Sequence, residues 1–153
     1  MGSKYSLQNR LDEKAISVLS NYFQNEHGDI FDIQFHGIKD NTPDTDGFVR
    51  LREPGKGSKS SVVGEYLNKV VFFQLKGQGK ILKDNSYSCP ISVVEFCKEI
   101  NLPTILFVVE GLDEEKSENN PTIYWYYFDS VNVRILSDRI DKLSEKTDKI
   151  QLH

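Results

Sequence analysis

The chain is poor in the residues that build disulfide and zinc sites. Its 153 residues include two cysteines and three histidines. Cys89 and Cys97 do not make a disulfide framework, and Cys97 is expected to be a small buried group in a helix. The histidines, His27, His36 and His153, have no zinc-ligand spacing with the cysteines. The composition therefore favours neither a disulfide-stapled fold nor a zinc site.

Targeting and membrane signals are also missing. No apolar run approaches the ~20 residues that a membrane helix needs. The N-terminal residues lack the apolar core of a signal peptide. We therefore expect no membrane partner and a cytoplasmic location.

Two common catalytic motifs are incomplete or absent. The segment Gly77-Gln78-Gly79-Lys80 lacks the span and the Ser or Thr of a phosphate-binding P-loop. No Ser or Cys lies in a recognisable nucleophile elbow. Nucleotide hydrolysis through a P-loop and acyl transfer through such a nucleophile are thus not indicated.

What is present is typical of one globular domain. Hydrophobic residues make up 38% of the chain and charged residues 27%, which is an ordinary globular balance. The length suits a single core, and neither a repeat nor an interdomain linker is visible. We predict one domain over residues 1–153, with a tail from about residue 130 whose pattern is less clear.

Apolar periodicity predicts an α/β fold with a mixed central sheet of about five strands, in the order αβββαββ. The first three strands form an antiparallel meander, and the second helix provides a crossover to the fourth strand. In the tail, Val131 to Leu136 and Ile150 to Leu152 are candidate edge strands. The predicted elements are a helix from Leu7 to Phe23, strands at Phe31–His36, Phe48–Arg52 and Val70–Lys76, a helix from Pro90 to about Ile100, and strands at Thr104–Val109 and Ile123–Phe128.

The third strand carries the most informative signal, because an apolar run ends in polar groups. Gln74 and Lys76 share one face of this strand. A lysine there costs free energy unless it has a partner or a task. Asp46-Gly47 starts the preceding strand, and antiparallel pairing brings that start close to the end of the third strand. Asp44 is the local alternative to Asp46, which we prefer because Gly47 and the apolar strand follow it directly.

These residue types suit phosphodiester hydrolysis. A divalent metal polarises the phosphoryl oxygen and activates water. Mg²⁺ prefers oxygen ligands and keeps several waters, so one or two carboxylates can hold it. A neighbouring cation can orient the attacking water and offset developing charge. Asp46, Gln74 and Lys76 therefore predict a site for Mg²⁺, or Mn²⁺.

Positive charge is concentrated around this strand. Residues 50–83 hold eight basic and two acidic side chains, a local net charge of +6 in a chain whose total is −4. Clustered charge matters more for phosphate binding than the total does. A solvated lysine-rich loop is the alternative interpretation. The candidate nucleic-acid contacts are Arg50, Arg52, Lys56, Lys59, Lys80 and Lys83.

The pattern resembles the PD-(D/E)xK nuclease superfamily in a Q-x-K form. It also resembles one bacterial family within it, of unknown function, that is met in defence-associated and restriction-like proteins. The matching segments are Asp46-Gly47-Phe48, Gln74-Leu75-Lys76-Gly77, Pro103-Thr104-Ile105-Leu106 and Ile123-Tyr124-Trp125.

The resemblance implies a restriction-endonuclease-like core and a role for each site residue. Asp46 would be the main metal ligand, with the Leu75 carbonyl as a further ligand and Gln74 in the second acidic position. Lys76 would orient the water and help to deprotonate it. Glu13, which we place near the apolar stripe of the first helix, would aid metal binding or hold the site together.

The resulting hypothesis is a metal-dependent endonuclease acting on DNA in bacterial defence or restriction. RNA is the alternative substrate, and a homodimer or a partner protein of a larger defence system would complete the assembly. Because Gln74 replaces an acid, the alternative is a catalytically weak or inactive nucleic-acid-binding or interaction module on the same fold. Trp125 and its tyrosine neighbours are assigned to core packing rather than to base stacking.

Overall fold

The structure is a computed structural model, and it describes residues 7–28, 31–35, 46–54, 64–112, 121–143 and 147–153. Three α-helices and seven strands are formed in this part of the chain. The helices are α1 (Leu7–Ser20), α2 (Ile91–Ile100) and α3 (Ser130–Asp141). The strands are β1 (Phe31–Phe35), β2 (Gly47–Pro54), β3 (Gly64–Gly77), β4 (Tyr87–Pro90), β5 (Thr104–Glu110), β6 (Thr122–Phe128) and β7 (Lys149–Leu152).

Five of the strands form the central mixed sheet, in the order β1-β2-β3-β5-β6. The first three are an antiparallel meander, β3 and β5 are parallel, and β6 returns antiparallel to β5. A parallel pair needs a crossover, and α2 lies within it. The predicted α/β class, the five-stranded mixed sheet and the crossover are therefore confirmed.

Helices cover both faces of this sheet. Side chains alternate across a strand, so Phe107 and Val109 of β5 pack in one cluster with Ala15 and Leu19 of α1. Their neighbour Leu106 packs on the opposite face, in a cluster that also contains residues of α2 and α3. The sheet is thus the middle of three layers, which explains why β5 is almost entirely buried.

The first helix changes its geometry at its end. α1 runs directly into a π-helical turn, Asn21–Glu26, and Phe23 of this turn is buried against the core. Phe23 contacts Phe31 and Phe107 edge-to-face, with ring centroids 5.3 and 5.5 Å apart. The helix predicted to end near Phe23 therefore continues to Glu26, with the last part in π geometry.

The tail contains a helix where an edge strand was predicted, so the prediction for Val131 to Leu136 is wrong. Asp129 caps α3, because its side chain accepts a hydrogen bond from the backbone N–H of Asn132 at 2.7 Å. Val133 and Leu136 are buried three residues apart, which is helical rather than strand spacing. The cap and this spacing outweigh the β-branched content of the segment.

The strand predicted at Ile150 to Leu152 is confirmed, but it lies outside the central sheet. β7 pairs antiparallel with β4 in a separate two-stranded sheet, with Cys89 opposite Ile150. Cys89, Ile150 and Leu152 are all buried, so this small sheet closes the end of the α2–α3 core. Among the described residues, no helix has the length and apolar character needed to cross a membrane.

Candidate active site at the end of strand β3

The end of β3 projects beyond the start of β2. β2 begins at Gly47, which lies opposite Phe73, whereas β3 continues to Gly77. On its other side β3 stays paired with β5 as far as Gly77 and Val109. The last four residues of β3 therefore form a supported strand whose β2-facing edge is open to other groups.

Two carboxylates occupy that edge. Asp46 Oδ2 accepts a hydrogen bond from the Leu75 N–H at 2.6 Å, and the Asp46 N–H donates to the Phe73 carbonyl at 2.8 Å. Asp12 Oδ1, from α1, accepts from the Gly77 N–H at 3.3 Å. Alternate residues of a strand face the same edge, so Asp46 and Asp12 flank the same short stretch of backbone.

The side chains of the predicted site share one face of the sheet. Continuing the β2–β3 register by one step places Asp46 opposite Gln74, and paired residues lie on the same face. Gln74 and Lys76 pair with Leu106 and Val108, which face α2 and α3. The structure thus brings Asp46, Gln74 and Lys76 together at the open end of β3, as the antiparallel pairing predicted.

Burial differs across this group. Asp46 is exposed and Lys76 is half-buried, whereas Gln74 is only 3% exposed. No buried side-chain nitrogen or oxygen among the described residues is left without a hydrogen-bond partner, so the Gln74 amide is satisfied. Gln74 is therefore shielded from solvent, whereas Asp46 and Lys76 are accessible to it.

Lys76 lies in surroundings that do not explain a lysine by themselves. Its chain neighbours Leu75 and Gly77 are buried, and within the described residues its side chain makes no hydrogen bond and no salt bridge. It is close enough to Cys89 to oppose the rise in that thiol's pKa. Burial still dominates, with Cys97 adding to it, and raises the pKa of Cys89 to about 12. A half-buried ammonium without a described partner is costly, which favours a functional reason for Lys76.

The helix acid at the site is Asp12 rather than the predicted Glu13. Glu13 is exposed, whereas Asp12 is half-buried and reaches Gly77. At about 100° per residue, Glu13 lies about 200° from Leu11, so our placement of it near the apolar stripe was wrong. Asp12 borders that stripe, and a helical wheel drawn on Leu11, Ala15 and Leu19 would have identified it.

Two glycines allow the elements of the site to approach this closely. A Cβ on Gly77 would lie 2.5 Å from the Leu11 carbonyl oxygen, which is backbone and has little freedom to move. A Cβ on Gly47 would clash with the Gln34 carbonyl and lie 2.7 Å from the Phe73 ring. Glycine is therefore required where α1 meets β3 and where β2 starts.

Two kinds of oxygen donor lie at the same edge of β3. The N–H and C=O of one strand residue point to the same edge, so the Leu75 carbonyl faces the same side as the N–H bound by Asp46. Within the described residues, no group of three or more His, Cys, Asp and Glu side chains is arranged for a metal ion. A carboxylate oxygen and a backbone carbonyl are ligand types that Mg²⁺ accepts, with water in its remaining positions.

The predicted basic contacts are only partly described. Arg50 is half-buried on the site face, with its guanidinium 5.6 Å from the centre of the Phe48 ring, and Lys80 is exposed just beyond β3. Arg52 and Lys83 lie in described backbone, but their side chains lie outside the described part. Lys56, Lys59 and the alternative acid Asp44 lie outside the described residues altogether. Of the predicted cations with described side chains, Arg50 thus lies on β2 opposite Val70, and Lys80 follows the end of β3.

Two other surface features lie apart from this site. Trp125 is 69% exposed on β6, so its assignment to core packing was wrong. The edge position of β6 explains the exposure, because β6 pairs only with β5 in the described part of the chain. A cavity of about 620 Å³ lies between α2 and α3, lined by Lys98, Asn101 and Arg134 among others, and none of the candidate site residues lines it.

Comparison with known proteins gives no relative for the chain. No family model, no curated protein and no solved structure matches it.

Proposed function

We propose that the protein is a metal-dependent endonuclease of the PD-(D/E)xK type in its Q-x-K form, acting on DNA in bacterial defence or restriction. One observation carries the proposal. The Asp46 carboxylate is held 2.6 Å from the backbone N–H of Leu75, the central residue of Gln74-Leu75-Lys76. This contact joins the acid of one strand to the Q-x-K segment of the next.

Three oxygens would hold Mg²⁺ or Mn²⁺ in this proposal: the second carboxylate oxygen of Asp46, the Leu75 carbonyl and the Gln74 amide. A bound divalent ion polarises a phosphate oxygen and lowers the pKa of water. The hydrogen bond from Leu75 fixes the Asp46 carboxylate, so that its other oxygen is oriented before the substrate arrives. Asp12 places a second negative charge on the same edge and favours a divalent cation there.

Lys76 is the proposed catalytic cation. From the sheet face beside Asp46 its ammonium can orient a water for in-line attack. To act as a base, the ammonium must first release a proton to solvent, and the neutral amine can then accept a proton from the attacking water as that water becomes hydroxide. In the charged form it stabilises the extra negative charge of the pentacoordinate phosphorus. Both roles need a lysine that is not neutralised by a permanent partner, which agrees with its described surroundings.

DNA would approach along the site face of β2 and β3. Arg50 and Lys80 would contact phosphates on either side of the scissile bond, with further contacts from Arg52, Lys56, Lys59 and Lys83. The net charge of −4 makes binding dependent on this local cluster and hence sensitive to salt. A homodimer or a partner protein would supply the second site for cutting both strands. The cytoplasm is the proposed location.

The proposal is tested by nicking of supercoiled plasmid in Mg²⁺ or Mn²⁺ by the wild type and by Lys76→Met. We expect Lys76→Met to lose about 10²–10⁴-fold in rate. Its melting temperature should stay equal or rise, because methionine removes the desolvation cost of a half-buried ammonium. The matched control is Lys142→Met at the exposed position directly after α3, which should leave the rate unchanged. Equal nicking by the wild type and Lys76→Met would contradict the assignment.

A binding module without cleavage is the second candidate, and one observation favours it. Gln74 is a buried neutral amide where the superfamily pattern has an acid, and an amide binds Mg²⁺ more weakly than a carboxylate. This candidate predicts salt-sensitive binding of duplex DNA with no nicking under Mg²⁺ or Mn²⁺. Nicking that depends on Lys76 would exclude it.

A further inference from the structure

Glu110 is a buried acid that the site described above does not use. Three polar side chains are buried in the described part of the chain, Gln74, Thr104 and Glu110, and Glu110 is the one that carries charge, at 6% exposure. It ends β5, the parallel neighbour of β3, on the same sheet face as Lys76. Burying a carboxylate is costly unless hydrogen bonds compensate it, so its contacts show what it does.

Both carboxylate oxygens of Glu110 are occupied. Oε2 accepts from the backbone N–H of Leu82 at 2.7 Å, and Oε1 accepts from the Tyr124 hydroxyl at 3.0 Å. The same hydroxyl lies 3.1 Å from the Asn85 side-chain oxygen. Glu110 therefore connects three separate parts of the chain: the end of β5, the segment after β3, and β6.

The proton positions in this cluster can be assigned. Tyr124 has one hydroxyl proton, and the carboxylate is the stronger acceptor. We place that proton toward Glu110, in agreement with the raised pKa of Tyr124, whose first cause is this hydrogen bond. The Asn85 amide, turned by half a rotation, then donates to the Tyr124 oxygen. Every polar group in the cluster is satisfied in this arrangement.

The segment held by Glu110 carries basic residues next to the candidate site. It starts from β3 at Gln78, whose N–H donates to the Val109 carbonyl at 2.8 Å. Lys80 is exposed two residues before the Leu82 anchor, and Lys83 follows it directly. Asp84 and Asn85 then adopt left-handed backbone conformations, with φ of 54° and 53°. Such conformations persist where surrounding contacts enforce them, and Tyr124 provides such a contact at Asn85.

We propose that Glu110, with Tyr124, is a positioning residue that holds the Lys80–Lys83 segment against the end of β3, so that its lysines contact DNA phosphates beside Lys76. This inference rests on the proposed function. Glu110 acts by geometry and not by its charge, since a negative group near a phosphate-binding segment opposes DNA electrostatically. The hydrogen bonds, rather than the charge, are therefore what the DNA interaction depends on.

Two substitutions separate geometry from charge. Glutamine can still accept from the Leu82 N–H and donate its amide to the Tyr124 oxygen, leaving the Tyr124 proton for Asn85. Glu110→Gln thus retains the hydrogen bonds and removes the negative charge. Glu110→Ala removes both the bonds and the charge. If Glu110 acted only through its charge, both substitutions would strengthen DNA binding.

The experiment measures the affinity of the full chain for a 20-base-pair duplex at several salt concentrations in EDTA, which withholds the metal needed for cleavage. We expect Glu110→Gln to bind as tightly as the wild type or up to about threefold tighter, and Glu110→Ala to bind several-fold more weakly. The variant Lys80→Gln/Lys83→Gln should reduce the salt slope by roughly 2, since each phosphate contact contributes about 0.9. Added to Glu110→Ala, the same pair should change little, because those lysines are no longer held in place.

Three results would overturn the proposal. One is Glu110→Ala binding as tightly as Glu110→Gln. Another is the lysine pair weakening binding by the same factor in the Glu110→Ala and wild-type backgrounds. If Glu110→Ala does not fold, Tyr124→Phe replaces it, and an unchanged affinity in that variant counts against the proposal. If the wild type does not bind DNA at all, the proposed function itself is wrong. If the wild type binds DNA but the lysine pair weakens binding equally in both backgrounds, only the role of Glu110 is wrong.

Discussion

A single carboxylate can both build a site and act in it, and Asp46 illustrates how. One of its oxygens holds the Leu75 N–H, which a longer β2 would otherwise have bound with a backbone carbonyl. A buried or half-buried N–H needs an acceptor, so the hydrogen bond has a structural value even without a metal. The second oxygen is oriented by this bond. The structural and the proposed catalytic roles therefore fall on different atoms of the same group.

The acid on α1 can be tested by comparing two adjacent residues. Asp12→Asn keeps an oxygen that can accept from Gly77 and removes only the negative charge. We expect it to lower the nicking rate about 10–100-fold, the range for groups that support a metal site. Glu13→Gln, one residue along the helix and exposed, should leave the rate within about twofold. Plasmid nicking at fixed Mg²⁺ measures both, and a larger loss in Glu13→Gln would contradict the assignment of Asp12.

At the scale of residues, the sequence was sufficient to place the strand residues together but not to identify which acid of α1 contacts β3. Asp46, Gln74 and Lys76 could be placed because an apolar run, a turn and strand alternation are local signals. Asp12 and Glu13 are adjacent acids, and their roles depend on which side of α1 meets the sheet. The helical wheel contained that information, but the contact with Gly77 required the packing of α1 on β3.

At the scale of elements, the candidate site forms because β3 extends four residues past the point where its antiparallel neighbour β2 begins. β5 supports the far end of β3 by parallel pairing up to Gly77, while β2 stops opposite Phe73. Because the end of β3 is paired on one side, the backbone groups on its other side can bind side chains. Asp12 of α1 and Asp46, which directly precedes β2, provide those side chains.

The close approach of α1 to β3 predicts the effect of one methyl group. Gly77→Ala puts a Cβ 2.5 Å from the Leu11 carbonyl oxygen, so α1 must move away from β3. We expect a loss of about 1–3 kcal/mol in the free energy of unfolding, the usual cost of overpacking, measured by urea denaturation.

Gly111 serves as the comparison for Gly77. It has a φ of 75°, and a Cβ there would meet nothing within 4 Å, so Gly111→Ala tests backbone strain without steric conflict. Its cost should be about 1 kcal/mol. A Gly77→Ala protein as stable as the wild type would show that α1 does not pack against β3 as described.

Most elements with strong local signals were predicted, whereas β4 and α3 were not. The sheet strands, α2 and the crossover follow from periodicity and turn residues. β4 is four residues long and exists because β7, about sixty residues later, pairs with it. α3 was mistaken for a strand because Val131 to Leu136 is rich in β-branched residues, although Asp129 is a helix cap of a common kind.

At the scale of the whole molecule, the two faces of the central sheet carry separate hydrophobic cores. α1 and its aromatic partners build the core on one face of the sheet, and α2, α3 and the β4–β7 sheet build it on the other. The side chains of Gln74 and Lys76 lie on the second face, where β3 extends beyond the start of β2. Residues 50–83 carry a net charge of +6 in a chain of net charge −4. The DNA binding that we propose would depend on this local cluster rather than on the total charge.

The measurement that tests the central claim most directly is the Mg²⁺ dependence of plasmid nicking by the wild type and Asp46→Asn. The substitution keeps an oxygen for the Leu75 N–H, so the folded structure should persist, with a melting temperature within about 3 °C of the wild type. The account predicts saturable, Mg²⁺-dependent nicking by the wild type. Asp46→Asn should need at least about tenfold more Mg²⁺ or be inactive. Nicking that persists in EDTA, the same Mg²⁺ dependence in both proteins, or no nicking by the wild type would contradict it.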